Sequence, residues 1–340
     1  MEAITNLAAI LGRTPAVVNR NGRQWPALFS SRCSMPPILQ YRPVLIDALI
    51  SNERLSSYQS VFLPADDAGL VGVYLWNAHV CGALYPLMSS VEITLRNAVD
   101  QALVAGMGRF WWAGGKLRYR SFAADADAPH RVQAVRENFA RATRTYGAEQ
   151  RRRHAGRGNV APHHAGVIAK TEFSTWEFVL DDEFMGRGLI WPKYLSAVFR
   201  GPWPARQAGV MLAHTRDLVA TLREFRNRLF HHEPAWKRYG VLTEQDALLH
   251  LREKIGKAES LLALIHPESV RLLRANGLLQ GAYRACTSEE IRRFQHQGRI
   301  HEVDSLSKLA SLVDRSRGRN RTLQAAMPGG RRRRFLILPR

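Results

Sequence analysis

Between Leu222 and Pro234 the chain reads Leu-Arg-Glu-Phe-Arg-Asn-Arg-Leu-Phe-His-His-Glu-Pro, which puts Arg226, Asn227 and His231 on one short segment. A guanidinium can hold a phosphate through a planar fork of N–H donors. An imidazole can take or give a proton near neutral pH, and an amide can orient either group. Cutting an RNA phosphodiester needs little more, because the 2′-hydroxyl already sits beside the phosphorus it attacks. His231 is the candidate proton-transfer group, Arg226 the candidate phosphate cation and Asn227 the candidate orienting group.

Helical spacing is what would bring them together. At about 100° per residue with Leu218 at zero, Leu222, Phe225 and Leu229 fall within about 40° of it and form a buried stripe. Arg216, Arg223, Asn227 and His231 cluster opposite, between about 140° and 220°. Arg216 and Arg223 on that face, with Arg228 close by, are candidate RNA contacts. His232 lands about 40° from the stripe centre, which predicts a packed, structural histidine. Arg226, at about 80°, lies beside Val219 and Phe230, a second apolar strip. That strip predicts a two-fold partner surface and a cleft shared by two Arg226/His231 sets. Pro234 should stop the helix, and the negative end of its dipole favours protonated His231, the general-acid form. The same residues also have a plainer reading, in which exposed arginines solubilise a helix face and a terminal histidine helps cap it.

The chain as a whole invites a polyanion. It carries 49 Lys plus Arg against 29 Asp plus Glu, a formal net charge of +20, and 46% apolar residues across 340 positions, enough for a sizeable core. Nine arginines lie between Arg315 and Arg340 with no acid among them, so the preceding residues still carry +11 of the +20. Cys33, Cys81 and Cys286 are odd in number and far apart, which argues against a disulfide framework or zinc module and fits a reducing cytoplasm. No metal ligands stand at usable spacing, and no cofactor motif is present; His163-His164 in a Gly/Pro-rich stretch reads as solvated. The start lacks the basic residues of a signal peptide and no apolar run is long enough to span a bilayer, which predicts a soluble cytoplasmic protein with no membrane partner.

The expected organisation is all-α: an antiparallel helical bundle with a loose N-terminal leader over 1–39, a helical domain over 40–270, a helical extension over 271–314 and a basic disordered tail over 315–340. From Val71 to Val104 the pattern is strongly helical, and Pro86 predicts two helices or a kink. Leu87, Val91, Leu95, Val99 and Ala102 form its apolar stripe, and Glu92 with Arg96 reads as an intrahelical pair of about 0.3 to 0.5 kcal/mol. Trp111-Trp112 before Gly114-Gly115 marks a turn, residues 148–166 read as a long basic loop, and Leu248 to Ile265 is amphipathic. No period-two runs with turn pairs appear.

The segment from Arg226 to Pro234 resembles the signature of the Abi-like branch of the HEPN superfamily: arginine, a polar residue that is often asparagine, three more residues, then histidine. Arg54-Leu55 with Tyr58, Tyr74-Leu-Trp-Asn77, Glu92 through Leu95-Arg96-Asn97-Ala98, Phe173-Ser-Thr-Trp176 and Leu189-Ile-Trp-Pro192 support it in order. The resemblance covers roughly residues 40–270. Ser174 stands where glycine would be expected, outside the candidate site. Glu233 stands where a related branch carries the tyrosine whose nucleotidylation silences its toxins, so that control is not expected.

The resemblance implies a dimeric helical bundle with metal-independent endoribonuclease activity, often a toxin of abortive infection, antiviral defence or a toxin-antitoxin pair. It implies an RNA substrate, a homodimer and a protein or RNA antitoxin as partners, with Glu92, Arg96, Asn97 and His232 in structural roles. Two other classes fit the same residues: an RNA-binding module without activity, and a structural or interaction bundle. The second of these leaves the charge unexplained.

Overall fold

The computed structural model describes residues 41–123, 126–153, 161–328 and 333–339. The leader expected over residues 1–39 lies outside them. The chain is mostly helical. α1 (Tyr41–Ile50) is irregular at Arg42, and α2 (Asn52–Phe62) begins after Ser51, whose hydroxyl accepts from the Arg54 N–H. α3 (Asp67–Met107) is the 41-residue axis of the molecule. The Asp66 carboxylate caps it by accepting from the Gly69 N–H at 2.7 Å, an interaction of about 1 kcal/mol.

After α3 come α4 (His130–Arg153), α5 (His164–Ile168), α6 (Phe173–Val179), α7 (Leu195–Val198), α8 (Ala208–Phe230), α9 (Glu244–Ile265), α10 (Pro267–Ala275), α11 (Leu278–Ala285) and α12 (Ser288–Phe294). Of these, α6 to α9, α11 and α12 pack on α3, as do α1 and α2. The predicted stripe of Leu87, Val91, Leu95, Val99 and Ala102 is buried against them. That packing carries α3 through Pro86 as one helix rather than two. Leu84, Leu87 and Met88 around the proline are at most 1% exposed, and their combined burial offsets the roughly 3 kcal/mol that an interior proline costs.

Two loop expectations are corrected. Residues 148–153 continue α4, whose face holds Val132, Val135, Phe139 and Ala142 in the core, and 164–166 belong to α5. His164 is buried, not solvated: Nδ1 accepts from the Phe110 N–H at 3.0 Å and Nε2 donates to Asp100, which also accepts from Trp111 Nε1 at 2.9 Å. The half-buried Asp100 carboxylate keeps its place because two ring N–H donors, one from His164 and one from Trp111, converge on it.

The last part of the chain departs furthest from expectation. β1 (Ile300–Glu302), α13 (Leu306–Arg319), β2 (Leu323–Met327) and β3 (Arg333–Ile337) form a small module. The sheet order is β1-β2-β3, with β1 parallel and β2 to β3 antiparallel, pairing Ala325 with His301 on one side and Phe335 on the other. Val303, Leu312, Ala325 and Ile337 make its own core, with Leu309, Val313, Leu323 and Phe335 packed around them. The described residues of 315–340 therefore include the end of a helix and two strands where a disordered tail was expected, and the extension over 271–314 contains a strand; the chain remains mostly helical, as an all-α class requires, with a small three-stranded sheet added. Arg333 and Arg334 hid β3 within a charged run, while β1 and β2 are too short to show a period. Among the described residues no helix is long and apolar enough to cross a membrane.

Candidate functional site

The stripe of α8 faces inward as expected: Leu218, Leu222, Phe225 and Leu229 are at most 5% exposed. The helix ends at Phe230, and His231 caps it, with its N–H donating to Asn227 O at 2.9 Å and its ring exposed. His232 follows in the left-handed region at φ 57°, and the Glu233 N–H closes back to Arg228 O at 3.1 Å. This is a Schellman-type ending with histidine where glycine is usual. The expectation that His232 packs in the core fails for that reason: the helical wheel stops at Phe230, and the His232 side chain is exposed.

Residues distant in sequence hold this ending in place. The Arg54 Nη2 group donates to the His232 carbonyl, and the Ala235 N–H donates to Asn77 Oδ1 at 2.9 Å. Trp236 stands edge-on to Tyr58 and Phe62 at 5.2 and 5.0 Å and is buried. Arg54, Tyr58 and Asn77 thus form a cradle for the segment after His231. Their partners lie more than 150 positions away, so no local pattern announces these contacts.

Arg226 is half-buried. Its guanidinium lies over the Phe230 ring at 4.5 Å, Nη1 donates to Asn227 Oδ1 at 3.4 Å, and Nε sits 3.3 Å from Glu92 Oε2. Nε is buried and has no aligned acceptor despite Glu92, and among the described residues nothing accepts from Nη2. Arg226, Asn227 and His231 therefore share the last turn and cap of α8, with guanidinium donors still to be satisfied. Glu92 is not paired with Arg96 as predicted. It reaches across to Arg226, and Arg96 Nε donates to Asn97 Oδ1 at 3.4 Å.

The three predicted RNA-contacting arginines are engaged within the fold. Arg223 pairs with Glu177, a buried carboxylate that also binds Arg131 at 3.2 Å. Arg216 pairs with Asp182 at 2.8 Å and Asp181 at 3.3 Å. Arg228 donates to the Lys237 carbonyl. Drawing Arg223 away would leave buried Glu177 with the more exposed Arg131 alone, so Arg223 is a structural counter-ion before it is a ligand-binding group. The outer face was read correctly from spacing, but the acids that meet it lie on other elements.

Val219, expected on a second apolar strip, is buried within its own chain. The exposed strip lies instead on α3. Leu75, Tyr85 and Ile93 are 49%, 53% and 44% exposed, and spacings of three and four residues through Ala78, Gly82 and Ser89 keep them on one face. Tyr85 lies tilted against Phe230 with ring centres 5.1 Å apart, so this strip is continuous with the ring beneath Arg226. Beside it a groove of about 700 Å³ is lined by Arg54, Tyr74, Asn77, Tyr85, Phe230 and His232. Cys81 also lines the groove, but burial pushes its thiol up to about 11, which keeps it protonated.

No family model, characterised protein or solved structure matches the chain. What the site can do must be argued from its groups. An exposed imidazole can exchange protons, a fixed guanidinium with unmet donors can take a phosphate oxygen, and Asn227 ties the second to the helix that carries the first. Among the described residues no group of three or more His, Cys, Asp or Glu could hold a metal ion.

Proposed function

We propose that the chain is a metal-independent endoribonuclease of the Abi-like HEPN type. In this reading it is an antiparallel bundle acting as a toxin in abortive infection or a toxin-antitoxin pair, and it cuts RNA at a composite Arg/His site on a two-fold interface. The observation that carries the reading is the exposed His231 ring at the cap of α8, on the same turn as an arginine whose Nη2 has no acceptor among the described residues. An imidazole takes the proton of the 2′-hydroxyl and O2′ attacks phosphorus. The bond from phosphorus to O5′ then breaks, and an imidazolium returns a proton to O5′. Arg226 bears the charge that grows on the phosphoryl oxygens. The products are a 2′,3′-cyclic phosphate and a 5′-hydroxyl.

The test is incubation of the purified protein with mixed RNA in EDTA. Cleavage is expected to persist, with 5′ ends that a kinase labels directly and 3′ ends that resist extension until the cyclic phosphate is opened. Products with 5′-phosphates would sink the mechanism. A second reading, RNA binding without cutting, is favoured by the ion pair between Arg226 and Glu92, which offsets part of the cation's charge. Tight binding with intact RNA in the same assay would select it.

The apolar strip on α3 supports assembly with a second copy, since it is continuous with Arg226 through Phe230 and Tyr85. Ile93→Glu puts a carboxylate at the C-terminal end of that face, about two turns beyond Tyr85. The solution mass is expected to fall from two chains to one at micromolar concentration, and cleavage to fall about tenfold or more, because each desolvated charge costs more than 1.4 kcal/mol. A variant that stays dimeric and active would place the interface elsewhere.

A further inference from the structure

The C-terminal module contains a second basic site, independent of Arg226 and His231. A hollow of about 470 Å³ opens between α12, the approach to β1, the last turn of α13 and the start of β2. Six arginines line it. Three of them are neutralised inside the fold: Arg292 by Glu244 at 2.8 Å, Arg293 by Glu290 at 2.6 Å and Arg321 by Glu289 at 2.6 Å. The other three, Arg299, Arg315 and Arg319, are exposed and form no ion pair with any described residue. Arg315 and Arg319 stand four apart on α13, so both reach from the same helix face. His301, on the hollow's wall, is close enough to Arg315 and Arg299 for both to push its pKa down, in addition to the larger effect of burial.

Cations scattered over a convex surface repel little and need no ligand. Three unpaired guanidiniums converging on one concavity, with a fourth basic group kept neutral beside them, instead build a positive potential that a bound anion relieves. The wall carries Gln297, Thr322 and Gln324, which donate and accept hydrogen bonds, and no Phe, Tyr or Trp ring. A site of that composition is built for phosphates, with only the His301 imidazole and the guanidinium planes to offer a base.

We infer that this hollow holds the phosphate backbone of single-stranded nucleic acid, without sequence preference. The inference goes beyond the nuclease reading and holds equally for a chain that cuts nothing. It would anchor a strand on the C-terminal module while α8 handles a scissile linkage.

The test measures anisotropy of a short fluorescent RNA, 2′-O-methylated throughout so that no cleavage can occur, against the full chain over a range of salt. The double variant Arg315→Gln/Arg319→Gln is expected to bind about tenfold more weakly or worse. Its slope of log affinity on log salt should be shallower by about 1.4, at about 0.7 per phosphate contact on a single strand. The charge-matched control Arg144→Gln/Arg187→Gln, on exposed residues far from the hollow in sequence, should change affinity by less than about twofold. Arg299→Gln, outside helices and strands, provides a third readout if the helical double variant does not fold, with a slope expected to fall by about 0.7. Equal losses in the control would reduce the effect to net charge and overturn the site. So would unchanged binding in the double and Arg299 variants, or arginine-dependent capture of phosphatidylserine vesicles by a chain that ignores the RNA.

Discussion

Replacing His231 with alanine is expected to lower RNA cleavage by about 10² to 10⁴-fold, the range associated with loss of a positioned general acid or base. The ring is exposed, and the only described hydrogen bond of this residue is made by its backbone N–H to Asn227 O at 2.9 Å, which alanine keeps. Stability should therefore change by no more than about 0.5 kcal/mol, so lost activity cannot be lost fold. His232→Ala is the matched comparison. Its neighbour in sequence is equally exposed, but the fold uses the His232 carbonyl, held by Arg54, and not the ring. Activity in His232→Ala should stay within a few-fold of the parent. The reverse ranking of the two variants would transfer the proton-handling role to His232, and equal activity in both would remove histidine chemistry from this end of α8.

Arg226→Ala should cost about 10² to 10³-fold in turnover, comparable to removing one preorganised donor from a charge-stabilising site. Lysine should restore little. The guanidinium plane lies 4.5 Å over Phe230 while Nε approaches Glu92 and Nη1 meets Asn227, and an ammonium cannot fill those three positions together. Arg226→Ala removes a buried, misaligned Nε–H together with the Glu92 ion pair and the contact over Phe230, so its melting temperature should fall by only a few degrees while its activity falls by orders of magnitude. A variant that melts early and loses activity in proportion would mark Arg226 as a packing residue only. Melting curves read beside cleavage rates separate the two outcomes.

The parts legible in the sequence are those governed by short-range periodicity. The stripe of Leu218, Leu222, Phe225 and Leu229 and the stripe of Leu87 to Ala102 both bury as spacing demands, since one helix face must leave water whatever covers it. The outer placement of Arg216, Arg223, Asn227 and His231 followed from the same wheel. What the wheel could not supply was the partner. Glu177, Asp181 and Asp182 reach Arg223 and Arg216 from other elements, and Glu92 chose an arginine more than a hundred positions away over the one four residues on. His232 was misplaced because the helix was extended two residues past its end at Phe230, into backbone where side-chain direction no longer advances by a constant angle. The C-terminal strands were missed because pairing, not pattern, defines them. Phe335 to Leu338 are all apolar, so the alternation of exposed Leu336 and buried Ile337 shows only once the strand is paired.

The central position of β2 has a practical corollary for handling this protein. Its backbone is satisfied on one side by β1 and on the other by β3, which pairs with it from Leu323 to Met327. Shortening the chain ahead of Arg333 would strip one side and leave the alternate N–H and C=O groups of Leu323 to Met327 that face β3 bare, beside the newly uncovered Ala325. Such a bare rim recruits strands from other molecules, so a trimmed preparation should cloud or form oligomers where the longer chain stays clear.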